Sequence, residues 1–123
     1  MRLRTIFAVL SLLGSSAVHS ATAYWATGVD SVLIDDSNYG GCMILLSNPP
    51  SAQAGLNCPA PFATLSCDGE FSSKTEAQTK LNGAQLAMVT DTVVGVRVDD
   101  ARKVPGTNFC FVERIDLSTT PNP

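Results

Sequence analysis

Four cysteines, Cys42, Cys58, Cys67 and Cys110, in a chain of 123 residues limit what this sequence can fold into more than any other feature. About 100 residues bury only a modest core, and in an oxidising compartment an even set of cysteines ties such a chain together as disulfides. A zinc site is the rival use of the thiols. It lacks both a CxxC pair and a histidine near them, since the single histidine is His19. Two disulfides are therefore expected.

The compartment is read from the N-terminus. Met1-Arg2-Leu3-Arg4 precedes an uncharged, mostly apolar run over residues 5–18, the layout of a secretory signal peptide. The run is shorter than the ~20 apolar residues of a membrane-spanning helix. Small residues allow cleavage after Ser20 or after Ala23. Cleavage after Ala23 is the expected one, giving a signal peptide of residues 1–23, a single domain over 24–117 and a frayed tail over 118–123. The mature protein is expected to be secreted or periplasmic, with no membrane span.

Removal of the leader changes the chemistry available. The full chain has eight basic and eleven acidic residues, a net charge of −3. Losing Arg2 and Arg4 leaves six basic residues, a formal charge of −5, and takes away His19. A net-acidic domain gains no general counterion-release attraction to nucleic acid, so nucleic acid is not an expected partner.

Along the mature chain, residues 28–34 form a β-branched run that ends in a turn cluster at 35–41, and residues 42–47 form an apolar second strand. Residues 48–61 carry too many prolines for strand or helix and read as a long ordered loop. Residues 62–67 make a third strand, stopped by Asp68-Gly69. Ser73 and Glu76 have the spacing of a capping box, and Ala77, Leu81, Ala84 and Met88 share one helical face, predicting a helix from Lys74 to Thr90. Asn82-Gly83 is a hairpin dipeptide elsewhere, but unbroken periodicity on both sides keeps it inside the helix. Residues 93–98 form a fourth strand, 99–107 a connecting loop with a Pro-Gly turn, and 109–117 a fifth strand with Phe109, Phe111, Ile115 and Leu117 on one face.

The resulting order, β-β-β-α-β-β, is that of a small OB-fold-like barrel, mainly β with one helix. Several segments carry a likeness to a known family: Trp25-Ala26-Thr27-Gly28 after the leader, a strand ending near Asp36, the cysteine-bearing strand before Ser72-Ser73, and the helix over 77–89 leading through Asp91-Thr92 into 93–98. In this order and pattern the chain resembles small exported OB-fold proteins that include B subunits of AB5 toxins, particularly the subtilase-cytotoxin type. The resemblance implies a homo-oligomer, a pentameric ring, that binds cell-surface glycans with the helix lining a central pore. The four cysteines and the long proline-rich loop depart from that pattern, and no family binding residue is carried over.

The barrel reading also implies a pairing. Placing Ser47 opposite Phe62 sets Cys42 against Cys67 on antiparallel neighbours, within the reach of about 7 Å between Cα atoms that a disulfide needs. The third and fifth strands of such a barrel run parallel, which brings Cys58 to Cys110.

With His19 gone, neither a Ser-His-Asp nor a Cys-His arrangement can be built, and the acidic pairs Asp35-Asp36 and Asp99-Asp100 read as ordinary turn residues. No enzyme, metal or cofactor is expected. Tyr24, Trp25 and Tyr39 offer flat faces on which a sugar ring can lie, and Arg102 and Lys103 are placed in the last loop. In an OB barrel the Tyr39 loop and the Arg102-Lys103 loop flank the usual binding face. Ligand-binding candidates are therefore Trp25, Tyr39, Arg102 and Lys103. Trp25 also fits a core or inter-subunit anchor, and the two cations also fit solvated loop charge. The expected function is a non-enzymatic binding module for a glycan or other surface receptor. The alternative is a secreted inhibitor or accessory protein that docks to another protein through the proline-rich loop.

Overall fold

The computed structural model describes residues 20–118. Six strands form one sheet: β1 (Thr22–Thr27), β2 (Val29–Ile34), β3 (Cys42–Leu46), β4 (Phe62–Thr64), β5 (Val94–Lys103) and β6 (Cys110–Asp116). One α-helix, α1 (Lys74–Thr90), lies between β4 and β5 in sequence. The spatial order is β1-β5-β6-β4-β3-β2, antiparallel throughout except for the parallel pair β4 and β6.

β1 lies where the sequence reading placed the end of the leader and the first mature residues. Its Thr-Ala-Tyr-Trp-Ala-Thr run pairs Thr22 with Asp99 through to Thr27 with Val94. β-branched and aromatic side chains suit a half-buried pleated surface, and this run has both. β1 and β2 occupy the two edges of the sheet and are joined through the single residue Gly28. The hydrogen-bonded ladder is thus an open sheet rather than a closed barrel. A Cβ at Gly28 would stand 2.7 Å from the Ser47 hydroxyl, which is why the link admits no larger residue without a shift of that side chain.

The core lies between the sheet and the helix. Val94, Val96 and Val98 of β5 are fully buried with Ile44 and Leu46 of β3, Ala63 of β4 and Cys110 and Val112 of β6. Leu81, Ala84 and Ala87 of α1 join the same cluster. The helix has the predicted bounds and the predicted capping box: the Glu76 amide donates to Ser73 Oγ, and the Ser73 amide donates to Glu76 Oε2. Gly83 sits inside it because the far end of the chain passes over that turn. A Cβ there would lie 3.1 Å from Leu117 Cδ1.

Both predicted disulfides are present, with Cα separations of 5.4 Å for Cys42–Cys67 and 5.9 Å for Cys58–Cys110. The register behind the first differs from expectation. Phe62 faces Leu45, not Ser47, and β4 stops at Thr64. Ser66 then adopts a left-handed φ of 60°, its amide held by Thr64 Oγ1, and this turn carries Cys67 back to Cys42. The second bond follows from the parallel pair β4 and β6, in which Ala63 faces Cys110.

Two further placements correct the sequence reading. Arg102 and Lys103, expected in a loop, belong to β5, which runs on to Lys103 through an irregularity between Asp99 and Lys103. Bulged residues keep strand pairing while turning their side chains. Asp99 and Asp100, expected as solvated turn acids, are only 9% exposed. Asp99 accepts from the Ala101 amide and from Arg102 Nε, and Asp100 accepts from the Ala21 and Asn57 amides. In β6, Phe111 does not share the core face; Cys110 and Val112 do, and strand alternation turns Phe111 to the opposite side.

Candidate functional site

A cleft of about 480 Å³ lies between the N-terminal half of α1 and the outer side of β6. Its apolar floor is Phe71, Phe111 and Ile115. Helix periodicity sets Thr75, Glu76, Thr79 and Lys80 along one wall, since residues three and four apart are neighbours on a helix. Arg102, Glu113 and Arg114 form the other wall.

Phe111 organises the cleft. Its ring is 2% exposed and tilted against Phe71 at 5.5 Å, with the Lys80 ammonium and the Arg102 guanidinium each 4.4 Å from its centroid. Both cations are held in place around the ring. Lys80 Nζ donates to the Val112 carbonyl at 2.9 Å, while Arg102 donates from Nε to Asp99 at 2.7 Å and from Nη2 to Glu113 at 3.1 Å. Burial lowers the Lys80 pKa, although the Glu76 and Glu113 charges oppose that effect and Arg102 adds to it. An ammonium has three donors, so bonding to Val112 leaves Lys80 with capacity for an incoming acceptor. Ser72 Oγ, also on the lining, is shielded from solvent and has no hydrogen-bond partner. The cleft therefore combines an apolar floor with donors (Lys80, Arg102) and acceptors (Glu76, Glu113) at its rim.

The residues nominated from sequence do not form one site. Arg102 is on the cleft wall. Trp25 is half-buried against the core, and its Nε1 donates to the Asn48 carbonyl, pinning β1 to the start of the proline-rich loop. Tyr39, 38% exposed, sits edge-on to Phe109 at 5.4 Å in a second hollow, where the β2–β3 connection meets the Val104–Pro105 turn. Those two loops meet at this hollow, but Arg102 and Lys103 lie outside it. Tyr24 donates to Asp116 Oδ2 at 2.8 Å, and Arg114 binds the same carboxylate from Nε and Nη2. Sequence reasoning missed Phe71, Lys80 and Phe111, which come together from positions 31 or more residues apart or from opposite sides of a helix cap.

Three carboxylates are more acidic than usual. Ser37 and Asn38 hold Asp35 down through hydrogen bonds led by the Ser37 amide. Arg114, with Tyr24, does the same for Asp116 against the opposing effect of burial. Burial would raise Asp100, but the Ala21 and Asn57 amides and the Lys103 charge outweigh it. Because these groups have lower pKa values folded than unfolded, the unfolded chain binds more protons in acid. Their stabilisation is fully present above about pH 4 and is lost as pH falls through the folded-state values. Thermal melts from pH 6 down to pH 2 should show a falling midpoint below about pH 4. Asp116→Asn should flatten that fall, and an unchanged slope would contradict the assignment.

Among the described residues no helix is long and apolar enough to cross a membrane, and no group of three His, Cys, Asp or Glu side chains is placed to hold a metal ion. Comparison with family models, with curated proteins and with solved structures finds no match to the chain.

Proposed function

We propose that this chain is an exported, non-enzymatic binding module that takes a glycan in the cleft between α1 and β6. The observation that carries the reading is the lining itself. A sugar presents apolar C–H faces and hydroxyls that both donate and accept. Phe71 and Ile115 answer the first, while the carboxylates of Glu76 and Glu113 and the donors of Lys80 and Arg102 answer the second. Two disulfides and the capped helix hold these groups on a fixed frame, which lowers the ordering cost of binding.

The OB-like reading belongs to the same proposal. Residues 22–34 act as one long first strand bent at Gly28, serving β5 with one half and β3 with the other. That arrangement brings the two sheet edges to a single residue and supports a barrel-like wrap with the helix at one end. The resemblance to AB5 B subunits adds assembly of several copies. Leu86, Val89 and Val93 support it, being 55%, 75% and 51% exposed around the C-terminal end of α1, where a second copy of the chain would cover them. Native mass spectrometry of the mature protein should give a multiple of the protomer mass. A monomer at micromolar concentration removes the assembly without removing the cleft.

A glycan array tests the binding. Wild-type protein is expected to bind a related group of glycans, and Thr75→Trp, which fills the mouth of the cleft from an exposed helix position, should weaken that binding at least tenfold with an unchanged melting temperature. A flat array, or Thr75→Trp binding equal to wild type, overturns the proposal.

A further inference from the structure

Given the export proposed above, we propose that the leader is cut between Ser20 and Ala21, and that the α-ammonium group this releases docks on the Asp100 carboxylate as a maturation latch. The sequence favours a cut after Ala23, but Ser20 with Val18 two residues before it also has the small residues the peptidase needs. The fold separates the two. A cut after Ala23 would remove Thr22 and Ala23 from β1, losing their rungs with Asp99 and Val98. It would also remove Ala21, which Asp100 grips from both sides. The Ala21 amide donates to Asp100 Oδ1 at 2.7 Å, and the Asp100 amide donates to the Ala21 carbonyl at 3.0 Å.

A cut after Ser20 keeps every one of these contacts. Water adds across the Ser20–Ala21 peptide bond; the carboxylate leaves with the leader and the ammonium remains on Ala21. A neutral amide donor 2.7 Å from a carboxylate thereby becomes a cation at the same place, and charge-assisted bonds are roughly twice as strong as neutral ones. Asp100 is built to receive it. The residue is 9% exposed, its other oxygen accepts from the Asn57 amide at 3.0 Å, and Asn57 adjoins the Cys58–Cys110 disulfide that fixes this corner.

N-terminal sequencing of the protein recovered from a secreting bacterium given the whole precursor is the first test. Ala-Thr-Ala-Tyr is expected. Tyr-Trp overturns the latch but leaves export standing, and an intact Met1 overturns export itself. The second test compares Asp100→Asn in the mature protein with the same change in a form that keeps Ser20 ahead of Ala21. The melting temperature should fall by roughly 4–8 °C more in the mature protein, where the ammonium loses its partner. Equal falls in the two forms overturn the latch.

Discussion

Replacing Cys58 and Cys110 together with alanine is expected to lower the melting temperature by roughly 15–30 °C. The bond closes a loop across 52 residues, and the chain-entropy relation for that length gives about 4 kcal/mol. In a domain of this size each kcal/mol moves the midpoint by roughly 4–8 °C. Cys42–Cys67 closes only 25 residues and is worth about 3.5 kcal/mol on the same relation, so its removal should rank second. The structure gives a separate reason for that order. Cys58–Cys110 anchors the proline-rich segment to the parallel pair β4 and β6, which share only two registered rungs. Melts by circular dichroism without reductant provide the comparison, and a fall below about 5 °C for the Cys58, Cys110 double variant would contradict it.

Phe111→Ala has an effect of comparable size, a loss of roughly 3–5 kcal/mol as expected for truncating a buried phenylalanine. The ring also supports the two cations stacked on it and the contact with Phe71, so the cleft should collapse along with the stability. Phe111→Leu separates these contributions. It restores most of the apolar volume but offers no ring face to Lys80 and Arg102, and an intermediate loss is expected. Denaturant unfolding measures both. If Phe111→Ala cost less than about 1 kcal/mol, the ring would not be the organising element.

The parts of the fold legible in sequence are those set by local chemistry. Ser73 and Glu76 announced the start of α1 because a capping box is a contact between residues three apart, and the valines of β5 announced a buried strand by alternation. Both disulfides followed from the barrel reading, although Phe62 paired two residues away from the expected partner. With that register, a left-handed turn at Ser66, a serine that gives no glycine-like signal, brings Cys67 to Cys42. β1 is not legible in sequence because its threonines and aromatics follow directly on small residues that read as a cleavage site. In sequence Asp99-Asp100 reads as a pair of turn acids, which puts Arg102 and Lys103 in a loop. Buried by Ala21, Asn57 and Arg102, those aspartates instead satisfy the backbone of an irregular strand.

The cleft was the least legible feature. Lys80 gives no signal of its own in the sequence, and alternation alone places Phe111 on one face with Phe109, Ile115 and Leu117. Only the pleat of β6, which sends Cys110 and Val112 inward, turns Phe111 outward to meet Phe71 and Lys80. Long-range partners of this kind are fixed by strand order, which here seats β6 between β5 and β4.

The most direct test of the account is residue-resolved. Amide resonances of isotope-labelled mature protein are followed by NMR during titration with the best glycan from the array. Shifts concentrated at residues 71–80 and 111–115 are the predicted result. Shifts confined to the proline-rich loop over 48–61 or to the hollow around Tyr39, with the cleft unmoved, would contradict it.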